Sequence, residues 1–250
     1  MSGHSKWHSI KHKKGAADAK RGKIFTMHSK LITIAAREGG GDPEMNSSLR
    51  TAIDNAKAAN VPNSNIDRAI KRGTGELKDQ AEISEIMYEG YGPSGIAVYI
   101  QTVTDNKNRT VASVKSILSK NGGNMGTSGS VAYLFHKKGL LLIEAPKENH
   151  DEIELAAIDA GAEDIKKEDN SIEIYTDAKS LHEVKDALEK NDIKVESAEI
   201  TYIPENEVKI TDENKAKKVL KFMEALEDDD DVTNVYSNFD IPEELMEKID

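Results

Sequence analysis

Between Leu140 and Ile203 the apolar residues change period in a fixed order, and that order restricts the possible folds more than any other feature of the chain. A strand-like run from Leu140 to Ile143 precedes a helical face of Ile153, Ala156, Ala157 and Ala160. Two strands follow, around Asp164 to Lys167 and Ile172 to Tyr175. A second helical face of Leu181, Val184, Ala187 and Leu188 then leads to a strand between Val195 and Ile203. Residues two apart share one side of a strand, and residues three or four apart share one side of a helix. The pattern therefore reads β-α-β-β-α-β, the order of the ferredoxin-like sandwich.

The flanking segments each look incomplete. Ile86 to Glu89 and Ile96 to Thr104 form a predicted hairpin around the turn cluster Gly90 to Gly95. Val111, Val114, Ile117 and Leu118 give a helical face, and Val131 to Phe135 reads as another strand. At the far end, Ala216, Val219, Leu220, Met223 and Leu226 mark one more helix, and Val232 to Tyr236 one more strand. An α-β pair alone closes no core, but joined to the earlier β-β-α-β it completes one. The expectation is a discontinuous α+β domain of residues 79–136 and 205–250, with a ferredoxin-like domain of residues 137–204 inserted into it.

Residues 1–78 read as a small helical bundle. A first helix from Asp18 to Arg37 places Ile24, His28, Leu31 and Ala35 on one face. On another side Lys23, Lys30 and Arg37 recur every seven residues, forming a row that drifts by only about 20° per step. A second helix is expected near Asp42-Pro43, with Leu49, Ala52, Ile53, Ala56 and Ala59 inward and Pro62 as its stop. Ser64 can cap a third, with Ile66, Ala69 and Ile70 on one face and Gly73 at its end. The fold class is thus multidomain α+β: a three-helix bundle and two ferredoxin-like α+β domains, the last inserted into the middle one.

Charge separates these parts. The whole chain carries 34 Lys and Arg against 45 Asp and Glu, a net of −11. Residues 1–75 hold 14 basic and 6 acidic residues, a net of +8, which leaves 20 against 39, or −19, for the remainder. A basic head on an acidic body is the usual electrostatic footprint for a polyanion, and the acidic remainder limits indiscriminate adhesion to nucleic acid. With no cysteine in the chain, disulfide scaffolds, Cys-ligated zinc, iron–sulfur clusters and thiol catalysis are excluded. No apolar run is long enough for a membrane span, and no apolar leader follows the basic N-terminus, so a cytoplasmic location without membrane partners is expected.

The candidate contacts lie in SKWHSIKHKKGAADAKRGK. Lys6, Lys11, Lys13, Lys14, Lys20, Arg21 and Lys23 surround Trp7, the only tryptophan, and the row on the first helix adds Lys30 and Arg37. Lysine and arginine neutralise phosphates and release counterions, and an indole can stack on an unpaired base. A solubilising arm with Trp7 as an apolar anchor is the alternative reading. His4, His8 and His12 have helical metal-ligand spacing but lie among lysines that repel a cation, so no metal is assigned. In the loop NGGNMGTSG, residues Gly122, Gly123, Asn124, Met125 and Gly126 read as a flexible contact loop that can approach a phosphate or a crowded RNA surface, with an ordinary helix-to-strand connection as the alternative. It lacks the ending of a P-loop, and no cofactor or small-molecule substrate is inferred. Asp105, Asn106, Asn108 and Arg109 open a helix and read as capping, and the acidic run Glu227 to Asp231 reads as a solvated helix end. No catalytic set is recognisable, and the chain is read as a non-enzyme.

The segments GHSKWHSIKHKKGAADAKRGKIF, GGGDPEMNSSLRTAIDNAKAANVPNSNIDRAIKRG and YEGYGPSGIAVYIQTVTDNKNRTVASVKSILSKNGGNMGTSGSVAYLF closely resemble the YebC/PmpR family. Ser94 stands where that likeness leads one to expect a second glycine. The resemblance implies a cytoplasmic, three-domain DNA-binding transcriptional regulator. Some members act in translation instead, including mitochondrial activators and factors linked to ribosomes stalled on proline-rich products. It maps the family's basic motif onto Lys6 to Lys23 and its glycine-rich loop onto Gly122 to Gly126. The alternative that the resemblance leaves is a ribosome-associated factor that binds ribosomal RNA on the ribosome; a further alternative, read from charge, is a protein-interaction module that works through the acidic body.

Overall fold

The computed structural model describes residues 18–77, 83–167 and 170–249. Contacts divide the chain into two compact units, residues 1–135 with 204–250, and residues 136–203.

The first unit begins with three helices, α1 (Asp18–Gly39), α2 (Ser47–Ala58) and α3 (Asn63–Gly73). Ile32, Ala35 and Ala36 of α1 pack with Leu49, Ile53, Ala56, Val61, Ile66 and Ala69 in one buried cluster. The opposite side of α1 is apolar too, with Ile34 and Leu31 against Ile83 and Val103. The predicted stripe through Ile24 and His28 is therefore only part of the buried surface. The run Leu31 to Ala36 is almost wholly apolar, so the helix is covered on two sides and its periodicity understates its burial.

Two predicted boundaries are corrected. The second helix does not start at Asp42-Pro43, because Asn46 is its cap. The Asn46 side chain accepts from the Leu49 amide at 3.0 Å and donates to the carbonyls of Ala35 and Gly40, both at 2.8 Å. This buried amide closes the start of α2 and the end of α1 at once. The third helix starts at Asn63 after Pro62 with no side-chain cap, and Ser64 lies inside it.

The sheet of this unit contains β1 (Ser84–Tyr91), β2 (Ala97–Thr104), the edge pair β3 (Asn124–Met125) and β9 (Val232–Ser237), ordered β3-β1-β2-β9. Helices α4 (Lys107–Lys120) and α7 (Glu213–Glu227) cover one face, where Val114, Leu118, Val219, Phe222, Met223 and Leu226 meet Val98, Ile100 and Val235. Taken spatially, β9-β2-β1-β3 is the ferredoxin-like order, with β1 between the two strands that α4 connects. The chain visits those strands in a different sequence, because β1 enters first as half of a hairpin.

The strand expected at Val131 to Phe135 is a 3₁₀ turn over residues 132–134. The edge strand is Asn124–Met125, which pairs with Gly90 and Tyr91. Three elements were not anticipated: the strands β8 (Val208–Lys209) and β10 (Phe239–Asp240), which pair in parallel, and the terminal helix α8 (Glu243–Ile249).

The second unit has the predicted order: β4 (Phe135–Glu144), α5 (His150–Asp159), β5 (Asp164–Lys167), β6 (Ser171–Asp177), α6 (Leu181–Lys190) and β7 (Ser197–Pro204). Its sheet runs β5-β6-β4-β7, and its own core joins Leu141, Ile143, Ile153, Ile172, Ile174, Leu181, Val184 and Leu188. No helix among the described residues is long and apolar enough to cross a membrane.

Candidate nucleic-acid interface

Five of the sequence-derived contact residues, Lys6, Trp7, Lys11, Lys13 and Lys14, lie outside the described residues. Lys20 and Arg21 belong to the first turn of α1. The structure settles the surroundings of the other three. Lys23 Nζ donates to the carbonyls of Glu227 and Asp229, the latter at 2.7 Å. Lys30 Nζ donates to the Asp230 carbonyl and to Asp231 Oδ1, each at 3.0 Å. The Arg37 guanidinium donates to the Ile83 carbonyl. The row that helix geometry offered to an outside anion is turned onto the chain itself.

What receives Lys23 and Lys30 is the acidic run at the end of α7, and its last residue, Asp231, gathers the most partners. Only 6 % of Asp231 is exposed. Its carboxylate takes two contacts from Arg109 Nη2, at 2.9 and 3.1 Å, and one from Arg109 Nε at 3.3 Å. Thr110 Oγ1 donates at 2.8 Å and Thr104 Oγ1 at 3.2 Å. Burial pushes the Asp231 carboxyl up, but the hydrogen bonds from Arg109, Thr110 and Lys30 outweigh it and hold the pKa down to about 2. Asp229 accepts from the Ser113 hydroxyl and the Asp231 amide. Around this cluster lies an open cleft of about 730 Å³ lined by Thr26, Lys30, Arg109, Ser113 and Asp229 to Asp231. The solvated helix end expected for Glu227 to Asp231 is corrected at Asp231: an ion pair on α1 and another on α4 draw it inward.

The expected capping at the start of α4 is present, with Asn106 Oδ1 accepting from the Arg109 amide at 3.1 Å. Sequence reading missed the second task of Arg109. Its partner is 122 residues away, and no local pattern links them.

The glycine-rich loop is built tightly. A side chain at Gly123 would sit 2.5 Å from the Tyr91 carbonyl and 2.8 Å from the Phe222 ring, and one at Gly90 would sit 2.8 Å from the Asn124 carbonyl. Glycine is required at Gly123 by close backbone approach, and Gly122 adopts φ +82°. The Gly126 amide donates to the Glu89 carbonyl at 2.8 Å, and beyond it the amides of Gly129, Val131 and Ala132 are already taken. The buried Glu89 carboxylate accepts from Gly129 at 2.6 Å, Val131 at 2.7 Å and Ala132 at 2.8 Å. Burial raises its pKa, and these amides more than compensate, leaving it below the usual carboxylate range. Gly122 and Asn124 remain exposed, while Gly123, Met125 and Gly126 are half-buried.

Cations that do face solvent include Arg68 and Lys71 on α3. That helix spans 11 residues.

Comparison with known proteins covers nearly the full chain. Residues 5–76 match the family described as the TACO1/YebC protein N-terminal domain, and residues 83–239 match the TACO1/YebC second and third domain. A "probable transcriptional regulatory protein" of Halothermothrix orenii is 56 % identical over 100 % of this chain and 99 % of its own length. One from Persephonella marina is 52 % identical over the full length of both chains. The crystal structure of a conserved hypothetical protein from Aquifex aeolicus superimposes with a TM-score of 0.84 at 47 % identity, covering 90 % of this chain and 93 % of that one.

Proposed function

The chain belongs to the TACO1/YebC family, and from that membership we propose that it is a regulator of gene expression that binds nucleic acid and acts without catalysis. The observation that carries the proposal is the +8 charge of residues 1–75 in a chain of net −11, placed on the segment that matches the family's N-terminal domain. Lys23 and Lys30 are occupied by the Glu227 to Asp231 run. Binding charge is therefore assigned to Lys6, Lys11, Lys13, Lys14, Lys20 and Arg21, with Trp7 available to stack.

The names of the relatives favour DNA as the target. Trp7 within the basic arm favours ribosomal RNA, because an indole stacks on unpaired bases, which a DNA duplex does not offer. Cross-linking the protein in cells and sequencing the attached nucleic acid separates the two. Promoter fragments without ribosomal RNA identify a transcriptional regulator; ribosomal RNA without promoter enrichment identifies a ribosome-associated factor. Charge reversal at Lys11, Lys13 and Lys14 to glutamate, with the fold intact, is expected to abolish retention on either at modest salt. Unaltered retention would reject the basic arm as the binding element.

A further inference from the structure

Outside residues 1–75 the chain has a net charge of −19, yet helix α4 carries Lys107, Arg109, Lys115 and Lys120 and not one acidic residue. Its neighbour α7 carries Lys215, Lys217, Lys218 and Lys221 within seven residues. Both helices bury their apolar sides in the same core, Val114 and Leu118 from one and Val219 and Met223 from the other. Their polar sides therefore share the outer surface of the helix layer.

Four cations of that surface, Lys115, Lys120, Lys218 and Lys221, are exposed and form no ion pair with any of the described residues. Several other lysines outside the head do have carboxylate partners: Lys138 with Glu163, Lys167 with Asp151 and Glu154, Lys194 with Glu196 and, on α7 itself, Lys217 with Glu213. Acidic residues outnumber basic ones about two to one over this part of the chain, yet these lysines on adjacent helices form no ion pair with any described residue and concentrate positive charge on one surface. Glu224 is the one exposed carboxylate on α7 beyond its first turn and before the Glu227 end.

We propose that the outer surface of α4 and α7 is a second phosphate-binding face, which grips the backbone of a duplex nucleic acid without reading its bases. The proposal rests on the nucleic-acid reading above and adds a surface to it. Extended polyanion fits better than small phosphate ligand, because the four lysines stand on the outside of a helix layer and small ligands need concave sites. Neither helix exposes an aromatic ring, since Phe222 is buried, so the face offers charge and no stacking platform.

The test measures binding of the full chain to a short RNA duplex and a DNA duplex of equal length, each in two unrelated sequences, across a salt series. Replacing all four residues, K115Q, K120Q, K218Q and K221Q, is expected to weaken binding roughly tenfold or more at low salt, equally for both sequences. The slope of log affinity against log salt should become shallower by about 2 to 4. Arginine at the same four positions should restore both quantities, which a merely structural defect would not. Unchanged affinity and slope in the glutamine variant, while the K11E/K13E/K14E variant loses binding, would overturn this face and leave the arm standing. Failure of the unaltered chain to bind any duplex would overturn both. Loss confined to poly-glutamate, with duplex binding intact, would assign the face to an acidic protein partner and likewise overturn it.

Discussion

Asp231 joins three parts of the first unit through a single carboxylate: α1 through Lys30, α4 through Arg109 and Thr110, and the end of β2 through Thr104. Removing one member of a buried ion pair leaves the others desolvated and unpaired, and half of the Arg109 side chain is in solvent, which moderates the loss. Asp231→Asn is expected to lower the unfolding free energy by about 2 kcal/mol in chemical denaturation. The pKa adds a pH signature. The folded value lies below the unfolded one, so the stabilisation is present above about pH 4 and disappears as pH falls from about 4 towards 2. Comparison of the two proteins at pH 7 and near pH 2 should show the difference shrinking.

At Ser94 the backbone has φ 64° and ψ 13°, in the left-handed region. A serine side chain is strained there and glycine is not. The glycine that the family resemblance leads one to expect at this position thus has a conformational reason. Ser94→Gly should raise the thermal midpoint, corresponding to no more than about 1 kcal/mol, because the relieved strain is partly offset by the greater freedom of glycine in the unfolded chain. A lower midpoint would contradict this account of the turn.

Among the elements, the segment from Gly122 to Leu134 differs most from its sequence reading. Its glycines suggested a mobile loop. In the fold they bring backbone against the Tyr91 carbonyl and the Phe222 ring, and Glu89 holds the following turn by three amides. Glu89→Gln replaces one accepting oxygen by an NH₂ group that opposes an amide. The variant is expected to lose about 1–3 kcal/mol, with faster hydrogen exchange concentrated at Gly129, Val131 and Ala132. Exchange at those amides as slow as in the unaltered protein would show that the carboxylate does not hold the turn.

For the whole molecule, the inserted unit has a separate core, and β4 and β7, which carry its two ends, are neighbours in one sheet. The first unit is equally prepared for the interruption, since the Glu205 amide donates to the Leu134 carbonyl at 2.8 Å and so holds the points of departure and return together. Residues 136–203 expressed alone should therefore unfold in one cooperative transition, followed by circular dichroism, and show dispersed amide resonances. A featureless unfolding curve would mean that this core depends on the rest of the chain.

The β-α-β-β-α-β order, the closing role of the last helix and strand, and the charge division between head and body were all legible from residue order. Each depends on periodicity or on a sum, and neither requires knowing which distant residues meet. The destinations of Lys23, Lys30 and Arg109, the burial of Asp231, the Glu89 turn and the unpaired lysines of α4 and α7 were not. Apart from those lysines, these are pairings across 40 to 206 residues, and in sequence a charge looks the same whether it meets solvent, phosphate or a carboxylate. Tertiary packing alone decides which of the three it meets, because the balance between desolvation and Coulomb attraction is set by neighbours brought close only when the sheet and helices close on one another.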